Sequence, residues 1–263
     1  MATEMAAAFN RVRFESRKGL SVQQSGSGRP IVFLHGWCLN RQLWMYAEEA
    51  LAGEFHVLMP DLAGFGSSDA LAGPNTFERH ADDILDLLVE YELTGAVLVG
   101  FAFGAAIAMT AAAKDSSRIA GVVSVGVPSA SCQPYSKMAK AIRRDWPDFA
   151  RRSAQAVFKN SQSAATIAWI ESMFVGTRLP VALESLQQLE HFEPVPLAAR
   201  VPVHALYVHA DKDDVAPRRI GEACVAASGD GQLAVVENCG HLIVIEQKDA
   251  FNTLLQRHLN LRK

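Results

Sequence analysis

Apolar residues in the first half of the chain fall in short unbroken runs separated by polar, glycine-rich breaks. Ile31–Leu34, Ala96–Val99 and Val122–Val125 are continuous and rich in β-formers, the pattern of strands buried on both faces, and His56–Met59 reads as a further strand. Between them the period changes. Phe77 to Leu93 carries Ile84, Leu85, Leu88 and Val89 at helical spacing, and Ala105–Lys114 is an alanine-rich helix. The alternation resumes near the end, with a strand at Val203–Val208, a helix at Arg218–Ala227, a strand at Leu233–Val236 and a helix at Phe251–Leu259. At the start, Arg11–Glu15 and Leu20–Gln24 flank Lys18-Gly19 as an opening hairpin. Strand and helix alternating in this way predict an α/β fold, with a mostly parallel twisted sheet, right-handed crossovers and helices on both faces.

From about Pro128 to Pro202 no strand pattern is present. Helices are expected at Tyr135–Arg144, Asp148–Lys159, Thr166–Phe174 and Leu179–Leu189, an all-helical insertion. The expected organisation is therefore a core of residues 1–128 and 198–263 with a helical lid at 129–197. Such a lid would sit over the carboxyl ends of the strands, where open sheets bind ligands. The 263 residues, 49% hydrophobic and 20% charged, can bury a core without disulfides or metal. Cys38, Cys132, Cys224 and Cys239 have no C-x-x-C spacing, which favours a reducing compartment. Met1 to Phe9 contains Glu4 and lacks a basic leader, and no apolar run reaches the ~18 residues of a membrane span. A cytoplasmic protein is expected. The net charge of −3 gives no argument for nucleic acid or membrane as a partner, and oligomeric state is not legible.

The most informative segment is Val97-Leu98-Val99-Gly100-Phe101-Ala102-Phe103-Gly104. A buried strand runs straight into a helix, with glycines two residues either side of position 102. That is the spacing of the nucleophile elbow, G-x-S-x-G, whose tight turn leaves no room for side chains at ±2. The helix start behind it suits a developing anion. Here the chain resembles the α/β-hydrolase family, and the resemblance covers nearly the whole core. It departs from the pattern at one place: Ala102 stands where the family carries Ser, or sometimes Asp or Cys. A methyl group cannot attack a carbonyl carbon. Either a Ser has been replaced, or this is a natural non-catalytic member kept as a receptor or scaffold. Retention of the other catalytic features favours the first.

The resemblance implies a general base at His241, in Asn238-Cys239-Gly240-His241, with Glu246 as the acidic residue that follows it. The orienting acid falls in Asp211-Lys212-Asp213-Asp214-Val215-Ala216-Pro217; the pattern G-x-x-D-x-x-V-P selects Asp213, with Asp211 and Asp214 as competitors. Ala210 replaces the usual Gly. His35-Gly36-Trp37 matches the family's H-G loop, so the amides of Trp37 and Phe103 are the implied oxyanion donors, each worth about 3 kcal/mol. His35, Gly36, Gly100 and Gly104 are supporting residues, and Asp61-Leu62-Ala63-Gly64-Phe65-Gly66-Ser67-Ser68 is a structural loop. Neither Ser67 nor Ser68 is aimed at His241. The remaining histidines show no ligand spacing, so neither a metal nor a cofactor is expected.

Residues 137–159 hold seven basic side chains, Lys137, Lys140, Arg143, Arg144, Arg151, Arg152 and Lys159, against Asp145 and Asp148. They form either a solvated face or a docking surface for an acidic partner such as acyl carrier protein or a CoA phosphate. The segment His35–Asn40 with Trp44 is similar to pimeloyl-[acyl-carrier-protein] methyl ester esterases, and the chain also resembles chloroperoxidase-like esterases. The first likeness implies an acyl ester on a carrier as substrate. Met138, Ile142, Trp146, Phe149, Phe158, Trp169 and Phe174 are candidates for an acyl pocket or for lid core. A receptor on the hydrolase scaffold is the competing class. A C–C hydrolase, or a dehalogenase whose elbow Asp is lost, remains open.

Overall fold

The computed structural model describes residues 12–15, 19–69 and 73–261. The readings of Met1–Phe9, of Arg11 and of Lys18 lie outside them. Eight strands form one sheet: β1 (Val12–Glu15), β2 (Ser21–Ser25), β3 (Arg29–Leu34), β4 (Phe55–Pro60), β5 (Ala96–Phe101), β6 (Ile119–Val125), β7 (His204–Ala210) and β8 (Gly231–Val236). Their spatial order is β1-β2-β4-β3-β5-β6-β7-β8. The β1/β2 and β2/β4 pairs are antiparallel; every later pair is parallel.

β5 and β7 are buried at every position, and β3 and β6 at all but one. Helices cover both faces of these strands, which is why they read as continuous apolar runs rather than alternating ones. The helices of the first half are α1 (Met45–Leu51), α2 (Phe77–Glu90) and α3 (Phe103–Lys114). α2 opens on Thr76, whose side chain accepts from the Arg79 amide at 3.1 Å. α3 is buried almost all round by Ala105, Ala106, Ala108, Ala111 and Ala112, and these small side chains let it lie close on β5 and β6.

Between β6 and β7 the chain forms five helices: α4 (Tyr135–Arg144), α5 (Trp146–Ala156), α6 (Ala164–Gly176), α7 (Leu179–Glu190) and α8 (Pro194–Ala198). The insertion is fastened to the core near its end, and its two ends are fastened to each other. Phe192 packs on Phe77 with ring centroids 4.9 Å apart, and its carbonyl accepts from the Ala130 amide at 2.8 Å. The chain closes with α9 (Arg218–Ala227), the short α10 (Ile243–Glu246) and α11 (Lys248–Asn260).

α1, α8 and α10 have no counterpart in the periodicity reading. α8 and α10 are too short to show a period, and α1 buries the charged Glu48 on its inner side. Glu48 accepts from the Gln23 amide group at 2.9 Å through both carboxylate oxygens. No helix among the described residues is long and apolar enough to cross a membrane.

Candidate active site

β5 ends at Phe101 and α3 begins at Phe103, so one residue makes the turn between them. Ala102 makes it with φ 48° and ψ −105°. A residue with a Cβ held there costs on the order of 1–3 kcal/mol. The turn is clamped from both sides. The Ala102 amide donates to Val125 O at 2.8 Å, and its carbonyl accepts from the amides of Ala105 and Ala106 at 2.9 and 3.2 Å. Both flanking glycines are sterically required: a Cβ on Gly100 would lie 2.2 Å from Gly104 O, and one on Gly104 would lie 2.3 Å from Leu34 O.

His241 follows β8 on the loop into α10, and Asp213 follows β7. Of the three acids on the β7 loop, Asp213 meets the histidine, with Nδ1 2.8 Å from Oδ2. Its other oxygen accepts from the amides of Val215 and Ala216, both at 2.8 Å. Burial works to raise the Asp213 pKa, but the adjacent His241 and the two amides outweigh it and hold the carboxyl below its ordinary value. An ionised Asp213 fixes the Nδ1–H tautomer and leaves the Nε2 lone pair of His241 free. The ring lies against Phe101 at 4.8 Å between centroids, and Gly126 (φ 61°) provides its clearance, since a Cβ there would come within 3.1 Å of Cε1. Asp211 instead accepts from the Cys239 amide at 3.2 Å, and Asp214 is exposed and pairs with Lys159 at 3.3 Å.

His35 is fully buried. Its Nε2 accepts from the Leu62 amide at 2.9 Å, which leaves Nδ1–H to donate to Gly36 O at 2.9 Å. Burial lowers its pKa, in keeping with a neutral ring that braces the loop. Gly36 permits the close pass of that loop beneath Phe101, since a Cβ would meet the ring at 2.7 Å. Trp37 and Phe103 both line the cavity above Ala102, and no hydrogen bond among the described residues uses either amide. Asp61 is structural: it accepts from the amides of Arg41 and Ser67, both at 2.8 Å, and pairs with the Arg41 guanidinium. The Ser68 hydroxyl donates to Asp61 O at 2.6 Å.

The cavity has a volume of about 190 Å³ and is mostly apolar. Ala102, Phe103 and His241 share its lining with Met138, Phe174 and Leu186 of the insertion. Of the sequence candidates, Met138 and Phe174 line it. Ile142 is buried in the core cluster, while Trp146 and Phe149 pack edge-on against Trp37 at 6.2 and 6.3 Å. Phe158 and Trp169 pack against the core outside the cavity wall.

Other supporting contacts have no sequence signature of their own. His209, buried in β7, bonds through Nδ1 to Ala216 O at 3.0 Å and so braces the loop that holds Asp213; burial lowers its pKa. Gln133 reaches the carbonyls of Asp214 and Val215 at 2.9 and 3.2 Å. Both are polar residues in local sequence that names no partner, and proximity in the fold supplies one.

The seven basic side chains are all exposed. Arg151 and Arg152 share Asp148, and Lys159 pairs with Asp214. Lys137, Lys140, Arg143 and Arg144, all on α4, have no ion-pair partner among the described residues. No cluster of His, Cys, Asp and Glu among the described residues could hold a metal ion.

Residues 29–179 match the family model of the alpha/beta hydrolase fold. The chain belongs to the α/β-hydrolase family. This α/β hydrolase is 25% identical over 265 residues to an AB hydrolase superfamily protein, YisY, of Bacillus subtilis, covering 95% of this chain and 98% of that one. It is 23% identical over 257 residues to a pimeloyl-[acyl-carrier protein] methyl ester esterase of Shewanella woodyi, covering 92% and 98%. The fold of this α/β hydrolase matches the solved structure of an esterase from Exiguobacterium antarcticum with a TM-score of 0.88 at 21% identity, covering 95% and 99%.

Proposed function

We propose that this α/β hydrolase binds a carboxylic ester or thioester in the cavity above Ala102, in the site of a Ser-His-Asp esterase that lacks its Ser. The observation that carries this reading is the joint one. An elbow residue at φ 48° and an imidazole bonded to a buried carboxylate at 2.8 Å line the same apolar cavity. The acyl group lies against Met138, Phe174 and Leu186, and its carbonyl oxygen takes the amides of Trp37 and Phe103. With a hydroxyl at position 102, His241 would take its proton as the oxygen attacks and return it to the leaving group, while Asp213 supports the imidazolium. Ala102 supplies no such oxygen, so the acyl-enzyme route is closed in this chain. Residues 129–197 act as the lid.

The acyl group is carried by an acidic partner. Four unpaired cations on α4 suit acyl carrier protein or the phosphates of CoA, and the relative from Shewanella woodyi is named for such a substrate, pimeloyl-[acyl-carrier protein] methyl ester. A carrier of that kind implies a cytoplasmic protein. A receptor that holds the ester without cleaving it is the second reading, supported by the methyl group at position 102.

The experiment is Ala102→Ser, assayed with the unaltered protein on p-nitrophenyl acetate and butyrate. Loss of a triad nucleophile costs about 10⁶-fold in kcat in a well-studied protease. A gain of at least about 10³-fold is therefore expected, and His241→Ala in the Ser background should abolish it. A folded Ser variant that releases no nitrophenol above background removes the esterase-site reading. If that variant still binds acyl thioesters, the receptor reading stands.

A further inference from the structure

Removing the oxygen from an elbow leaves the rest of the apparatus in place, and the remainder has a chemistry of its own. His241 keeps a free Nε2 lone pair, because Asp213 takes Nδ1–H at 2.8 Å and is itself fixed by two amides. His241 is the one imidazole among the cavity-lining residues, and the lining holds no carboxylate. The other titratable lining group, Tyr135, points its hydroxyl at Ser129 O, 3.4 Å away, and burial raises its pKa. The elbow also keeps its strained φ of 48° with no hydroxyl to present. What that geometry still delivers is the Phe103 amide at the start of α3, which, like the amide of Trp37, makes no hydrogen bond among the described residues, and both residues line the cavity. A base and two unused amide donors on residues that line one mostly apolar cavity, with a methyl group at the elbow in place of a nucleophile, can take a proton from carbon without first being acylated.

We propose that this chain, with Ala102 in place, is a general-base catalyst acting on carbon acids. His241 Nε2 removes a proton from the carbon α to the carbonyl of an acyl thioester or ketone that carries a second activating group. The C–H electron pair becomes the C=C bond of an enolate. The carbonyl π pair moves onto oxygen, where the amides of Trp37 and Phe103 hold it. The imidazolium exchanges its proton with solvent and then protonates the α carbon or, in a β,γ-unsaturated substrate, the γ carbon. The net result is exchange or isomerisation, with no redox change and no co-reactant. The methyl of Ala102 contributes by omission, since a hydroxyl there would attack the same carbonyl and consume the substrate. This inference rests on the cavity being a carbonyl-binding site.

The probe is the 3-hexenoyl thioester of N-acetylcysteamine in D₂O. Conjugation to the 2-hexenoyl thioester is followed by absorbance, and deuterium at the γ carbon by NMR. The native protein is expected to isomerise it at least about 100-fold faster than His241→Gln, the lower end of what a positioned base contributes. Asp213→Asn should fall between the two. Ala102→Ser should divert the same thioester to hydrolysis, read as free thiol. The circular dichroism of each variant is compared with that of the native chain. A native protein no faster than its folded His241→Gln or Asp213→Asn variant overturns the inference. If Ala102→Ser then hydrolyses the thioester, the carbonyl-binding reading survives alone; if neither reaction occurs, both fall.

Discussion

His80 shows how closely the residues behind the site are tied to its electrostatics. It is buried, packs edge-on against Phe103 at 5.5 Å between centroids and bonds through Nε2 to Asn75, while its Nδ1 has no hydrogen-bond partner among the described residues. Burial, with smaller contributions from His35 and Arg79, lowers its pKa to about 3. The folded state therefore keeps this ring neutral where the unfolded chain protonates it. Between about pH 6.5 and pH 3 the unfolded state binds the additional proton, so stability falls as the pH drops through that window. His35 and His209 are lowered by burial as well and add to the slope. Replacing His80 by Gln should remove one proton's share, up to about 1.4 kcal/mol per pH unit. Urea unfolding of both forms at several pH values from neutral downward measures it. Parallel pH profiles would mean that His80 does not hold its neutral form in the folded state.

At the scale of elements, α4 is the one to test. It carries Lys137, Lys140, Arg143 and Arg144 with no acid, and buries Tyr135 and Ile142 on its inner side. Charge reversal of Lys140, Arg143 and Arg144 together alters exposed side chains, so it should leave folding nearly unchanged. If an acidic carrier docks here, titration with acyl carrier protein should weaken at least tenfold on reversal, and raising salt should weaken the native complex in the same direction. Binding indifferent to both changes would assign these cations to a solvated face. The same helix marks the boundary of what sequence makes legible. β3, β5, β6 and β7 announce themselves because both faces are buried, and Ala102, Asp213 and His241 because each sits where an element ends, in a tight turn with its own local grammar. The cavity walls do not. Met138 and Phe174 line the cavity while Trp169, on the same helix as Phe174, does not, and nothing in helical spacing tells which apolar residue of an insertion faces a ligand and which faces its neighbours. Brief elements such as α10 are invisible for another reason: their place is set by tertiary hydrogen bonds rather than by a period.

Over the whole molecule, what matters is how the insertion is joined to the loop that carries His241. The seam is Glu246. Its Oε1 accepts from the Gly240 amide and the Asn160 side chain, both at 2.8 Å, and its Oε2 accepts from the Lys159 amide at 2.8 Å. The chains approach so closely there that a Cβ on Gly240 would lie 2.9 Å from Lys159 N. Two further bonds, from the Leu242 amide to Val157 O at 3.2 Å and from the Asn160 side chain to Asn238 O at 2.6 Å, add to the join beside His241. One half-buried carboxylate thus holds backbone donors from both sides, so removing it strands several amides at once. Glu246→Ala should raise amide hydrogen exchange tenfold or more in segments 157–160 and 239–242. Exchange in β5 and α2, which do not touch this seam, should stay as it was. Glu246→Gln retains one acceptor oxygen and should fall between. A local rise of this kind would make the insertion a body hinged at the base loop, so that its motion and the position of His241 are coupled. Unchanged protection in both segments would instead leave the join to the Leu242–Val157 and Asn160–Asn238 bonds and to apolar packing, with Glu246 a bystander.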